Sequence, residues 1–228
     1  RDRAQQTANP VDPWEDFNRE VFAFNQVIDT YALKPVAQGY DFITPEPVQT
    51  GVGNFFSNLG EIRTALNSVL QWKWVNAGIA SSRFLLNTTL GVGGLLDPAT
   101  ELGWIAREED FGQTLAVWGV DAGPYVVLPL LGGRTLRHAG ALPADAYADP
   151  VTYVEDGTTR WGLRALGLID YRASVLDQEE LIRGDRYIFL RDAYLQRRRF
   201  LINDGETGAD PFASGEFDFD FDDGDFAE

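Results

Sequence analysis

The feature that most constrains this chain is a spacing. Trp14, Phe17, Val21, Phe24, Ile28 and Tyr31 follow one another at intervals of 3, 4, 3, 4 and 3 residues. An α-helix, with about 3.6 residues per turn, gathers such positions on one face. Asp12, Pro13 and Glu15 form a helix start: a capping carboxylate, a proline suited to the first turn and a glutamate at the capping-box position. Pro35 is expected to end that helix. The pattern returns in Val48, Val52, Phe55, Leu59, Ile62, Leu66 and Val69, at intervals of 4, 3, 4, 3, 4 and 3. Gly51, Gly53 and Gly60 interrupt it, so two shorter helices fit as readily as one.

Further along, a third helix is expected near residues 75–89, followed by a glycine-rich break at Gly91, Gly93 and Gly94. Between Asp97 and Gly123 the periodicity fails, and the stretch reads as a long loop or hairpin with short helices. Irregular segments of that length inside a domain are often functional. Residues 123–133 hold Pro124 and Pro129 and read as extended or turn. Further helices are expected near 135–139, 144–148, 161–168 and 171–182, and a last one, capped by Asp185, to about Ile202. The expected fold class is all-α, with roughly seven to nine helices and no strand series. The organisation is a polar N-terminal linker at 1–11, a helical domain at 12–203 and a disordered acidic tail at 204–228.

Composition narrows the function. From Asp204 onward the chain carries ten acidic residues and no basic ones, and the whole has a net charge of −16. No basic stripe exists for nucleic acid to bind. Aromatic residues reach 13%, rich for a domain that meets only water and suited to an interface or a membrane surface. There is no cysteine, which excludes disulfides, thiol catalysis and thiolate metal sites. No uncharged apolar run reaches the ~18 residues of a membrane-spanning helix, so the body is expected to lie within an interface.

The chemical motifs are sparse. His138 is the single histidine, and no Gly-x-Ser-x-Gly elbow exists. A nucleophile–base–acid set is not assembled, and zinc lacks its usual ligands, so catalytic residues, metals and cofactors are all expected to be none. The carboxylates of Glu108, Glu109 and Asp110, and of Glu179 and Glu180, read as a solvated face. Arg197, Arg198 and Arg199 suit either a helix C-terminus or an anionic headgroup. The alternation FDFDFD at 217–222 reads as a solubilising tail, or else as a docking motif.

In their order these residues resemble one family. DPWEDFNREVFAFN at 12–25 is similar to the opening helix of the MlaA/VacJ lipoproteins, and RFLLNTTLGVGGLLD at 83–97 to their glycine-rich central block. FGQTL at 111–115, WGV at 118–120, GPYVVLP at 123–129 and TLR at 135–137 follow in the same order. RDAYLQR at 191–197 resembles the last helix, so the resemblance runs from about residue 12 to 203.

The resemblance implies a ring of amphipathic helices lodged in the inner leaflet of an outer membrane, around an amphipathic channel. It implies non-enzymatic transport: mislocalised phospholipid is taken from the outer leaflet and passed to a periplasmic lipid carrier, which maintains lipid asymmetry. It further implies a trimeric porin as partner and a lipidated N-terminal cysteine. This chain has no cysteine, so the anchor is expected to have been removed with the signal region. The expected lipid path is Leu95, Leu96, Trp104, Phe111, Leu115, Val117, Trp118 and Tyr125. Gly91, Gly93, Gly94, Gly123, Pro124 and Pro129 are expected to shape the backbone, and 97–123 to act as a gate. The rival readings are a soluble periplasmic lipid shuttle, a lipid-modifying enzyme and a porin-associated structural protein.

Overall fold

The stripe that opens the chain does form a helix, α1 (Glu15–Ile28), but its apolar face points outward. Phe17 is 60% exposed and Tyr31 80%, whereas Asn18, the next residue round the helix from Phe17, is fully buried and Val21 of the stripe packs against the buried cluster. The computed structural model describes residues 11–182 and 184–205. Most of the expected linker and tail, including the FDFDFD alternation, lies outside the described residues.

Pro35 does not end the first helix. A π-helical turn (Asp29–Leu33) shifts the hydrogen-bond register, and α2 (Lys34–Ile43) continues from it. Pro35 falls in the first turn of α2, where its missing donor and its ring are accommodated. Next comes α3 (Glu46–Leu70), a single helix through all three glycines. Each glycine costs about 1 kcal/mol against alanine, and packing outweighs that cost. A tight turn at Trp72, with φ of 62°, reverses the chain into α4 (Trp74–Thr89), which packs along α3.

Two short helices follow, α5 (Pro98–Glu101) and α6 (Phe111–Val117). Residues 123–133, expected to be extended or turn, contribute a two-stranded antiparallel hairpin of β1 (Tyr125–Leu128) and β2 (Gly132–Thr135), with Tyr125 opposite Thr135. The two helical pieces expected near 135–148 are one helix, α7 (Leu136–Ala148), which runs through Pro143. A 3₁₀ turn (Pro150–Tyr153) leads to α8 (Gly157–Ser174). The helix expected at 171–182 is only the end of α8 and a 3₁₀ turn (Asp177–Leu181). In α9 (Arg186–Ile202), Asp185 caps as expected, its Oδ1 accepting from the Tyr187 and Ile188 amides.

The contacts close into a circuit. α1 touches the hairpin, the hairpin touches α7 and α9, and α7 packs on α6. Both α6 and α7 reach α3, α3 touches α8, α8 packs on α2, and α2 continues α1 through the π turn. The fold is therefore an all-α ring of helices with one small hairpin. No described helix is long and apolar enough to cross a membrane.

Candidate functional site

The buried interior between the helices is polar, and this organises the rest. Among the described residues, buried polar and charged side chains outnumber buried apolar ones, and most of the latter are alanines. The α3–α4 pair shows how such an interior is held. Small Ala77 and Ala80 let the helices approach. A ladder of side-chain bonds then ties them: Asn58 Nδ2 to Thr88 Oγ1 at 2.9 Å, Arg83 Nε to Glu61 Oε1 at 2.5 Å and Asn76 Nδ2 to Ser68 Oγ at 2.9 Å. Small residues and interhelical hydrogen bonds are how helices associate in lipid, where apolar side chains gain nothing by leaving it. The outer side of the same pair carries exposed Leu66, Val69, Trp74, Val75 and Leu85.

The segment expected to be a flexible gate is pinned by this polar interior. Arg83 is the hub: Nη1 donates to Thr100 Oγ1 at 2.9 Å and to the Trp104 carbonyl at 2.5 Å, and Nη2 to Asp97 Oδ2 at 3.1 Å. Asp97 also caps α5 through the Thr100 amide. Burial raises the Glu61 carboxyl above its usual range despite the Arg83 bond. The Arg107 backbone is clamped by Asn76 through both its amide (3.0 Å) and its carbonyl (2.9 Å). Glu109, expected on a solvated face, is 1% exposed and accepts from Gln71 Nε2 and Lys73 Nζ.

Two adjoining cavities of about 260 and 200 Å³ lie on the inner side of α3 and share Phe56, Gly60 and Arg63. The larger is walled by Leu59, Val151 and Leu163, with Arg164 and Asp149 at its polar edge. The smaller adds Ser57, Glu61, Thr64 and Glu108. Both linings mix apolar and polar groups, the combination that an amphiphile matches.

The residues singled out from the sequence lie elsewhere. Leu95, Leu96, Trp104, Val117 and Trp118 are exposed, and none lines these two cavities. Phe111 and Trp118 meet edge-to-face at 5.9 Å, while Leu115 is half-buried. Tyr125 is 3% exposed, packed between Tyr187 and Tyr194. A Cβ at Gly91 would lie 2.3 Å from the Asn87 carbonyl oxygen, so no other residue fits there. Gly93, Gly94 and Gly123 adopt positive φ, Pro124 offers its carbonyl to the Leu136 amide, and Pro129 follows β1. Arg63, Phe56 and Gly60 were missed as site residues. The available signal was a lone cation in a nearly uncharged helix.

Among the described residues, His138 meets only Tyr194 and Arg134 through its ring nitrogens. Its Nδ1 lies 2.9 Å from the Tyr194 hydroxyl and its Nε2 2.9 Å from Arg134 Nη1. Burial and the nearby Arg198 push it down to about 4, so it is neutral at pH 7. Asp110 and Asp145 lie close enough to His138 to suggest a metal. However, Arg198 binds both oxygens of Asp110, and Asp145 accepts the Phe111 amide at 2.9 Å. Burial would raise Asp110, but the Arg198 bonds hold it at about 2. With a guanidinium filling the position a cation would take, the group is an ion pair.

Comparison with known proteins agrees with this geometry. A family model described as MlaA lipoprotein matches residues 10–201. The Haemophilus influenzae protein named Intermembrane phospholipid transport system lipoprotein MlaA is 37% identical over 211 residues, covering 89% of this chain and 83% of that protein. The Escherichia coli protein of the same name is 38% identical over 203 residues, covering 86% and 80%. A solved chain from work on the structural basis for maintenance of bacterial outer membrane lipid asymmetry superposes with a TM-score of 0.72 at 38% identity, covering 84% of this chain and 99% of that one.

Proposed function

The chain belongs to the MlaA lipoprotein family, and from that premise we propose that it moves phospholipid, without chemistry, between the outer membrane and a periplasmic lipid carrier. The carrying observation is the outward apolar surface of the first helix and the turn after it: Phe17, Phe24 and Tyr31 are exposed while Asn18 is buried. In water that arrangement forfeits about 25 cal/mol for each Å² of apolar surface left exposed. Against acyl chains it loses nothing, and the polar interior supplies a route for headgroups. The body therefore lies in the inner leaflet with its apolar faces among the tails, beside a trimeric porin, and takes mislocalised lipid from the outer leaflet through the ring. Exposed Leu95, Leu96, Trp104, Val117 and Trp118 take the role of an apolar rim on this reading, with Phe111 and Leu115 behind it. Tyr125, being buried in the apolar cluster, is left out of the path.

Non-enzymatic transport fits His138, whose ring bonds only Tyr194 and Arg134 among the described residues. The test is complementation. Cells lacking their own protein of this family receive this chain with an N-terminal lipid anchor, and surface-exposed phospholipid is measured. A fall toward the wild-type level is expected; a level equal to that of an empty vector would refute the reading.

A further inference from the structure

Arg63 differs from the other cations of the interior. Its Nε is fully buried without a partner, and among the described residues its guanidinium makes no hydrogen bond and no ion pair. Four other arginines also leave one nitrogen unbonded, but each engages another: Arg134 with His138, Arg137 with the Val120 carbonyl, Arg172 with Asp29 and Arg186 with Glu179. The side chain as a whole is half-buried, so its Nη nitrogens stay open while Nε is sealed. A guanidinium so placed offers a fork of donors suited to two oxygens of one anion, and the cavity leaves room for that anion beside it.

We propose that Arg63 binds the phosphodiester of a phospholipid headgroup, held where the two cavities on α3 meet. This rests on the transport reading above and adds the point at which the lipid is gripped. Size supports it. At about 260 and 200 Å³ the cavities fall below the ~300–1,000 Å³ of drug-sized pockets, so a headgroup enters while the acyl chains stay outside. Lining supports it too. Phe56, Leu59 and Leu163 present an apolar wall next to the guanidinium, where the glyceryl end of a lipid would rest. Charge selects the class of anion. Asp149, Glu61 and Glu108 border the same cavities, so a singly charged diester is tolerated better than dianionic free phosphate. An ammonium group on the headgroup would gain from those carboxylates.

The test is calorimetric titration of the full chain with dihexanoyl phosphatidylethanolamine as monomers, and separately with inorganic phosphate. The wild type is expected to bind the lipid and to bind phosphate at least tenfold more weakly. Arg63→Gln should weaken lipid binding about tenfold or more, the loss of one charge-assisted contact. Arg63→Lys should restore part of it, and Arg199→Gln, a substitution on the exposed end of α9, should change nothing. The melting temperature of Arg63→Gln should be unchanged or higher, because the removed charge had no partner; a structural role would lower it. Lipid binding that survives Arg63→Gln overturns this assignment and leaves the transport reading standing. Phosphate binding as tight as lipid overturns the headgroup as occupant. A wild type that binds no phospholipid overturns both. If Arg63→Gln does not fold, a folded Arg63→Lys decides: lipid binding several-fold weaker than wild type supports the arginine fork, and wild-type affinity overturns the assignment.

Discussion

The corner where α1, the hairpin and α9 meet and the arc formed by α3 and α4 are both well buried, but by different means. In the corner Tyr125, Val127 and Tyr187 pack together, with Val21, Phe22 and Leu195 around them. Phe22 and Tyr187 meet edge-to-face at 5.5 Å, Asn18 anchors the hairpin through the Tyr125 carbonyl and the Val127 amide, and Asp12 accepts from Asn18, Tyr187 and Arg191. In the arc the buried side chains are mostly polar, Asn58, Glu61, Thr64, Ser68, Arg83 and Asn87 among them, with only alanines as buried apolar residues, while Leu66, Val69, Trp74, Val75 and Leu85 are exposed. The corner is what the hydrophobic effect produces in water. The arc has the build expected of helices in hydrocarbon, where hydrogen bonds and close approach hold helices together. On the proposed reading one chain follows two solvents' rules, and the difference can be broken or sharpened one substitution at a time.

The largest effect is expected from the arc. Arg83→Ala leaves Glu61 as a buried carboxylate without its partner and frees the Trp104 carbonyl and Asp97. Removing one member of a buried pair costs about 3–5 kcal/mol, so urea unfolding in mild detergent should show a loss of that size. In the corner, Val127→Ala removes two buried methyl groups and should cost about 2 kcal/mol. A reversed order would mean that the arc is held by something other than its polar ladder.

Acid should loosen the molecule at the α6–α7–α9 junction that joins the two regions. His138 is depressed from 6.5 to about 4, so its contribution is whole above pH 6.5 and is lost as pH falls toward 4. That is at most about 3 kcal/mol. Asp110 is depressed from 3.8 to about 2, so the stability from its Arg198 pair persists above pH 3.8 and disappears as pH falls to 2, about 2 kcal/mol more. Thermal melting followed from pH 8 to 4 should decline below 6.5, and in His138→Gln that decline should be absent. An equal slope in both proteins would remove His138 from the account.

How much of this was legible in the sequence follows from the same contrast. The 3-and-4 spacing located α1 and α3, because helical periodicity is a local property. It could not say which face meets which medium: an apolar stripe looks the same whether it faces a core or acyl chains, and only the family resemblance pointed outward. Pro35 misled because helix ends depend on register and packing, here a π turn from which α2 continues. Glu109 looked solvated because its partners, Gln71 and Lys73, stand far away in the chain and reach it only when α4 folds back on α3. Arg63 was missed for the opposite reason. What marks it is the absence of a partner, and sequence spacing carries no record of that.

The smallest effect on stability, and the sharpest on the comparison, comes from the outer faces. Phe17, Phe42, Val75 and Leu85 are exposed, Phe42 to 90%. Changing all four to serine should shift the unfolding free energy in water by only about 0.5 kcal/mol per site, as expected of surface positions. If these faces lie among acyl chains, each loses about 1 kcal/mol or more of partitioning. Association with phospholipid vesicles, read by co-flotation, should then fall at least about a hundredfold. The two readouts separate the solvents directly: a core residue would lose stability in water, and an inert surface residue would lose neither. A quadruple variant that still floats with the vesicles would show that the outward stripe of α1 and the outer side of the arc do not carry the membrane contact. The exposed aromatic turn at Trp72 and Trp74, where the rings meet edge-to-face at 5.6 Å, would then be the next face to alter.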